Sequence, residues 1–374
     1  MEYRQLDKLN IKTSLLGFGC MRFPTLEDGS INEAEAEKMI DHAISQGVNY
    51  IDTAYPYHNG DSEPFVGKVL KKYNRKDFYL ATKLPVWNIE KFEDVERIFN
   101  EQLTRLDVEY VDFYLLHALD KTKWQKVLDL GIIPYCEKLK AEGKIKYLGF
   151  SFHDDYEVFE EIINYRQWDF CQIQLNYIDT DIQAGLKGYE LAKSKDIPMV
   201  IMEPIKGGSL ASLPEDIEKM FKSHDSQASL SSWALRWVGS LDNIKVILSG
   251  MSTFEQVEDN LNTFNYFKAL DDTEQALVEQ VASTIKSRTK NGCTGCAYCM
   301  PCPFGINIPK NFRIWNDYAM YGNTEVTKKR YYKELKDNER AEFCKKCGKC
   351  EKMCPQAIKI REDLKRVVED MPKC

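Results

Sequence analysis

The sequence predicts a (β/α)8 barrel followed by a smaller, mainly helical module organised by cysteines. Two patterns carry this. Over residues 1–265 short apolar runs alternate eight times with amphipathic stretches, the rhythm of parallel strands joined by crossover helices. After residue 290, eight of the twelve cysteines fall in two tight groups. A barrel of this kind takes about 250 residues, so 374 residues leave room for one small extra module. The expected organisation is a barrel over 1–265, a helical linker over 266–290 and the cysteine module over 291–374.

Taken in order, Tyr3–Ser14 has no helical period and is expected to form a hairpin closing the bottom of the barrel. The expected strands are Leu15–Gly19, Tyr50–Ala54, Phe78–Lys83, Val111–His117, Ile145–Ser151, Phe170–Leu175, Met199–Glu203 and Val246–Ser249. Several are near-continuous apolar runs, as strands covered on both faces should be. Amphipathic segments such as Glu33–Gln46, Phe92–Leu106, Gly131–Glu142, Tyr156–Tyr165 and Gln227–Val238 supply helices between them. In the linker, Asp271 and Glu274 have capping-box spacing. Leu277, Val281 and Ile285 then make one helical stripe. The insert between the cysteine groups is aromatic-rich, with Phe312, Trp315, Tyr318, Tyr321, Tyr331 and Tyr332. It is expected to be helical and to pack on the barrel.

Composition excludes several function classes. A chain with 43% hydrophobic and 29% charged residues can build a packed core, unlike a disordered one. A net charge of -7 gives no attraction to nucleic acid or to an anionic membrane. No apolar run approaches the roughly 20 residues that span a bilayer. The start, Met1-Glu2-Tyr3-Arg4, carries no apolar signal region. The expected location is cytoplasmic. Cys20, Cys136 and Cys171 read as small buried hydrophobes and Cys374 as a bystander tail thiol.

The first cysteine group reads Cys293-x-x-Cys296-x-x-Cys299-x-x-Cys302-Pro303, the second Cys344-x-x-Cys347-x-x-Cys350-x-x-x-Cys354-Pro355. Structural zinc sites use CxxC pairs separated by a longer loop. Here successive CxxC steps share their cysteines and each run ends in Cys-Pro, the pattern that wraps two [4Fe–4S] clusters in a ferredoxin-like module. By the ferredoxin rule one cluster takes Cys293, Cys296, Cys299 and Cys354, the other Cys344, Cys347, Cys350 and Cys302. Bacterial ferredoxins place three residues before the fourth cysteine. Here Met300 and Pro301 are only two, which leaves the crossover of Cys302 open but keeps it as a ligand.

Active sites of such barrels lie at the carboxyl ends of the strands. The second strand ends in Asp52-Thr53-Ala54 with Tyr57 just beyond, the third in Lys83, the fourth in His117. A tyrosine is a poor acid at neutral pH. A buried cation beside it favours the phenolate and lowers its pKa. Lys83 would supply that cation, Asp52 would hold Lys83, Tyr57 would give the proton and His117 would orient a substrate oxygen. Tyr55 and His58 flank Tyr57 as competitors. Each residue alone has a bland reading as a helix cap, surface cation or core histidine. Four at successive strand ends do not.

Gly47-Val48-Asn49-Tyr50-Ile51-Asp52-Thr53-Ala54, Tyr57, Ala81-Thr82-Lys83 and Leu115-Leu116-His117 resemble the aldo-keto reductase family. With the cysteine motifs added, the chain resembles that family's ferredoxin-containing branch. The resemblance covers about the first 265 residues and implies Asp52, Tyr57, Lys83 and His117 as the catalytic tetrad. It also implies that Ser151 and Gln172 hold a nicotinamide carboxamide. Phe152 stands where the family often has asparagine, and Met202 where it often has a stacking tyrosine. Asp259 and Asn260 match adenine-contact positions. NADPH-binding members carry basic residues where this chain has Gly250 and Gln256, so NADH is expected to bind at least as well as NADPH.

Barrels bind phosphates in the loops after strands seven and eight. Lys206, Gly207 and Gly208 occupy the first loop, Gly250, Ser252 and Thr253 the second. Gln256 is a further candidate cofactor contact, although its capping-box spacing from Thr253 offers it the helix as an alternative. Arg22, just beyond the first strand, reads either as a further cation for an anionic substrate or cofactor or as an ordinary exposed arginine. The expected function is an oxidoreductase that interconverts a small-molecule carbonyl and an alcohol, using NAD(P)H. Two [4Fe–4S] clusters would relay electrons, with ferredoxin or another one-electron carrier as partner. Hydride moves two electrons and each cluster one, and a flavin splits pairs better than a nicotinamide. An FMN-containing ferredoxin-linked reductase is therefore one alternative. A non-enzymatic redox sensor or electron carrier with structural clusters is the other.

Overall fold

β1 (Tyr3–Leu6) and β2 (Ile11–Ser14) pair antiparallel in the computed structural model, with Tyr3 opposite Ser14 and Leu6 opposite Ile11. Asn10 turns the chain between them in the left-handed region, which asparagine tolerates. The structure describes Met1–Lys373, and Cys374 lies outside the described residues. Eight parallel strands close into a barrel: β3 (Leu16–Gly19), β4 (Tyr50–Asp52), β5 (Tyr79–Leu84), β6 (Val111–Leu119), β7 (Ile145–Phe152), β8 (Phe170–Gln174), β9 (Met199–Met202) and β10 (Ile244–Ser249). β10 pairs with both β9 and β3. Leu6 of the hairpin is buried with Tyr50, Phe113, Phe170 and Val246, side chains of the barrel interior. The hairpin therefore plugs one end.

The inner face follows from strand alternation. Tyr50, Ala81, Phe113, Leu115, Phe170 and Val200 fill the interior. Two residues onward on the same faces come Asp52, Lys83, His117, Gln172 and Met202. The sequence thus stacks a polar ring at the carboxyl ends on an apolar layer below it. Gly17 permits this packing: a Cβ there would lie 2.6 Å from Val246 and 3.3 Å from Tyr50.

The described residues divide into two compact units. One is Met1–Gly207 with Ser231–Asp271, the other Gly208–Leu230 with the chain from Asp272 on. The excursion Gly208–Leu230, with its helix Glu215–His224, has no composition marker and falls within the span read from sequence as barrel. Helix Asp272–Ser287 buries Val278, Val281, Ala282 and Ile285. Val281 and Ile285 of the expected stripe are thus buried, while Leu277 is only partly covered and Val278 takes its place. The insert forms helix Ile308–Tyr321, and its aromatics build a core of their own. Phe312, Trp315 and Tyr331 are buried with Ile360, Leu364 and Val367 of the last helix, Ile360–Asp370. The insert is helical, as expected. Among the described residues no helix is long and apolar enough to cross a membrane.

Candidate functional site

Lys83 is the most enclosed charged group at the barrel mouth, with its side chain 0% exposed. Its Nζ donates to Asp52 Oδ1 at 2.6 Å and to the Thr53 carbonyl at 2.9 Å, and lies 3.5 Å from the Tyr57 hydroxyl. Strand register produces this: Asp52 pairs with Ala81, and Lys83 is the next inward residue after Ala81. Burial pulls the lysine down, but Asp52 and then Tyr57 push it above its ordinary value, so it stays an ammonium at neutral pH. For Tyr57, burial pushes the phenol up and Lys83 pulls it down, and burial prevails. This corrects the expectation that Lys83 lowers the tyrosine below its free value. The cation offsets part of a desolvation cost instead.

The flanking competitors are occupied. Tyr55 donates to Glu101 Oε2 at 3.1 Å and lies under the Arg105 guanidinium. His58 Nε2 accepts from the Phe23 backbone N–H at 3.2 Å. Positive φ at His58 and Asn59 turns the chain immediately after Tyr57. The tyrosine ring meets the His117 ring edge-on at 6.1 Å.

His117 closes the tetrad from β6. Burial first, then Lys83, holds its imidazole well below the ordinary histidine value, so it is neutral across physiological pH. Its Nδ1, Asp52 Oδ2 and Gln172 Oε1 are buried with no hydrogen-bond partner among the described residues. Orphaned buried atoms are uncommon, and three around one mouth mark a place for a polar ligand. Trp87, 41% exposed, lies 4.9 Å from the His117 ring and forms a wall that sequence reasoning missed. Its signal is a tryptophan just past the carboxyl end of β5. His153 at the end of β7 is exposed.

On the cofactor side, Ser151 Oγ accepts from the Ala118 N–H at 2.7 Å, and Gln172 Nε2 lies 3.4 Å from Met202 Sδ. Gln172 Oε1 is left to accept from an amide, which fits a nicotinamide carboxamide. Lys206 Nζ is tied to Asp179 Oδ2 at 2.5 Å, a partner that sequence did not reveal. Gly207 and Gly208 adopt positive φ. A Cβ on Gly250 would lie 3.2 Å from the Arg22 side chain, and one on Gly207 3.7 Å from its guanidinium. Arg22 therefore reaches across both glycine positions. Ser252 Oγ donates to the Arg22 carbonyl at 2.8 Å. Thr253 caps the helix Phe254–Asn265. Gln256 Oε1 accepts from Ser252 N–H at 2.8 Å, so this glutamine serves the turn. Asn260 is buried and donates to Ser249 Oγ at 2.8 Å, acting as a brace. Asp259, on the same helix, is half-buried.

The cysteine module holds two small cavities. One is lined by Cys293, Cys296, Cys299 and Cys354. The other is lined by Cys302, Cys344, Cys347 and Cys350. Each is a four-thiol set that crosses between motifs, and Cys302 lies with the second motif despite its shortened spacing. Among the described residues no group of His, Cys, Asp or Glu is gathered tightly enough for a single metal ion. Thiols spread around a cavity suit a multi-iron cubane better than one zinc. Buried Cys20, Cys136 and Cys171 belong to the core.

Comparison with known proteins gives two matches along the chain. The aldo/keto reductase family matches residues 15–283, and the 4Fe-4S dicluster domain matches residues 292–359. An L-galactose dehydrogenase of Arabidopsis thaliana is 26% identical over 313 residues, covering 77% of this chain and 97% of the relative. An NADH-specific methylglyoxal reductase of Escherichia coli is 27% identical over 288 residues, covering 64% of this chain and 85% of the relative. The solved holo aldo-keto reductase AKR11C1 of Bacillus halodurans superposes with a TM-score of 0.64 at 27% identity, covering 75% of this chain and 96% of that one.

Proposed function

This chain belongs to the aldo/keto reductase family and is an oxidoreductase, and we propose that it interconverts a small carbonyl and its alcohol while cysteine-bound clusters pass electrons to or from the barrel site. The observation that carries the first half is the buried Lys83 ammonium, 2.6 Å from Asp52 and 3.5 Å from the Tyr57 hydroxyl. A reduced nicotinamide, held at its carboxamide by Gln172 and Ser151, supplies hydride when bound. The protein does the rest. Tyr57 donates its phenolic proton to the carbonyl oxygen as negative charge develops there. Lys83 stabilises the phenolate left behind, and Asp52 keeps Lys83 charged and aimed. His117, neutral, offers one N–H to the same oxygen and positions it without competing as an acid. Trp87 shields the reacting face from water. For alcohol oxidation the same groups run in reverse, with Tyr57 accepting the proton.

Among the relatives, a reductase of a small dicarbonyl and a dehydrogenase of a sugar support a small polar substrate in either direction. The cavity sets Cys293, Cys296, Cys299, Cys354 and Cys302, Cys344, Cys347, Cys350 would each hold one [4Fe–4S] cluster, and such clusters carry single electrons. A second reading places FMN in the barrel. Arg22 across Gly207 and Gly250 favours an anion there, and the phosphate of FMN fits that cation as well as a dinucleotide does. Anaerobic purification followed by mass spectrometry of the released cofactor, then a carbonyl-reduction assay with NADH, tests both. Carbonyl reduction that is absent with either nicotinamide and with any one-electron donor would overturn the proposal.

A further inference from the structure

The two cysteine cavities differ sharply in charge. From Asn291 to Pro309 the chain carries no charged side chain besides its cysteines. From Cys344 to Arg361 it carries Lys345, Lys346, Lys349, Lys352, Lys359 and Arg361 against the single acid Glu351, in a chain of net charge -7. All six cations are exposed. Lys345, Lys346 and Arg361 rim the cavity that holds Cys302, Cys344, Cys347 and Cys350. An adjoining surface depression shares Lys346 and Arg361 with it and adds Lys359 and Lys365 beside Glu351 and Glu362. Arg361 pairs with Glu351 at 2.7 Å and Lys365 with Glu369 at 3.4 Å. The lysines 345, 346, 349, 352 and 359 have no carboxylate partner among the described residues. Cys347 is exposed, and Phe304, 45% exposed, belongs to the same cavity lining.

Five unpaired lysines on an otherwise acidic chain repel one another and gain little for the fold. A basic rim around an apolar spot and an exposed thiolate ligand instead suits a transient partner of opposite charge. Electron-transfer partners make small interfaces. They rely on long-range attraction for encounter rate more than on buried area for affinity. We propose that the basic rim around Cys302, Cys344, Cys347 and Cys350 is the docking face for a small acidic one-electron carrier protein, and that electrons enter or leave the chain at this four-thiolate site. The Cys293, Cys296, Cys299 and Cys354 site, whose lining carries no charged side chain besides its cysteines, is the second station. This rests on the electron-relay reading given above. Each encounter moves one electron: the carrier is oxidised by one, the site is reduced by one, and no bond or proton changes hands. Two encounters supply the pair that a carbonyl consumes.

The test uses the full-length, anaerobically reconstituted protein and its variant carrying Lys345→Glu, Lys346→Glu, Lys349→Glu and Lys352→Glu. A pre-reduced acidic two-cluster ferredoxin is the protein donor, and a zwitterionic viologen is the small donor. Stopped-flow absorbance reads cluster reduction. With ferredoxin the unsubstituted rate should fall about tenfold or more between roughly 0.05 and 0.5 M salt. The variant should be slower by a similar factor at low salt. The viologen rate should be the same for both proteins. If the variant loses iron, Lys345→Gln, Lys346→Gln and Lys349→Gln carry the same comparison. Ferredoxin reduction that ignores both salt and charge reversal would overturn the proposal. So would tight binding of a single-stranded oligonucleotide to the rim while ferredoxin fails to reduce the clusters. Charge-dependent cluster reduction that never reaches a carbonyl would leave the docking face standing and refute only the relay.

Discussion

Lys83 Nζ and Asp52 Oδ1 lie 2.6 Å apart with neither side chain more than 3% exposed. A buried pair of this kind is costly to break, because removing one partner leaves a bare charge in the interior. Asp52→Ala should therefore destabilise the barrel by about 3–5 kcal/mol, measured by denaturant unfolding. Asp52→Asn should cost less and still impair turnover, because it keeps the shape but weakens the hold on the ammonium.

Tyr57→Phe removes the proton donor and leaves the ring. Carbonyl-reductase kcat should fall by roughly 10²- to 10⁴-fold, with nicotinamide affinity nearly unchanged by fluorescence titration. Lys83→Met should act in the same direction by leaving the phenolate without its cation. Tyr55→Phe, which only loses a bond to Glu101, should keep most of its activity. Unchanged turnover in Tyr57→Phe would move the chemistry to other groups.

The pH profile follows from the two shifts at the mouth. Burial lifts Tyr57 above its ordinary value, with Lys83 opposing. The protonated acid therefore persists through neutral and mildly alkaline pH. It is lost only as pH rises through a value above the ordinary 10. Burial holds His117 well below its ordinary value, so it does not charge as pH falls through about 6.5. Reduction should be flat from about pH 6 to 9, and alcohol oxidation should rise with alkaline pH as the phenolate appears. An acid limb in kcat near 6.5 that vanishes in His117→Gln would contradict this assignment.

Much of this site was legible because strand alternation is a strict period of two. Once Tyr50, Ala81 and Phe113 are placed inward, Asp52, Lys83 and His117 must line the mouth. The cysteine spacing was equally direct, since a cluster's geometry constrains neighbouring ligands in sequence. What sequence hid depends on side chains meeting from distant segments. Lys206 looked free for a phosphate until Asp179 proved to be its partner. Asn260 matched an adenine position yet turns inward to Ser249. The Tyr57 shift was misjudged because a lysine's pull can be read from a motif, whereas burial cannot. The aromatic insert was amphipathic enough for several docking surfaces, and nothing local said that helix Ile360–Asp370 would cover it.

Dinucleotide preference rests on Arg22 and Gly250. With glycine at 250 and Gln256 engaged with Ser252, neither position offers a 2′-phosphate a charged hydrogen bond. NADH should bind at least as tightly as NADPH by calorimetry. Arg22→Ala should weaken both, because its guanidinium spans the two glycine positions where phosphates would lie. Gly250→Ala places a Cβ 3.2 Å from Arg22 and should weaken binding in the same sense.

Cluster pairing can be read by iron counting. Two cubanes give about eight iron and eight sulfides per chain after anaerobic purification. Cys302→Ser and Cys344→Ser lie in the same cavity, so each alone and both together should leave about half the iron. Cys302→Ser combined with Cys293→Ser spans both cavities and should remove nearly all of it. Loss of all iron from the Cys302, Cys344 pair would contradict the crossover.

The central claim is that electrons travel between the cysteine-bound clusters and the barrel. The most direct measurement is anaerobic carbonyl reduction driven by reduced ferredoxin without added nicotinamide, in the intact protein and after the clusters are chemically bleached. The account predicts one alcohol formed per two electrons delivered by the intact protein, and none after bleaching. Full-rate reduction by NADH after bleaching, with no product from reduced ferredoxin before it, would make the clusters purely structural and contradict the account.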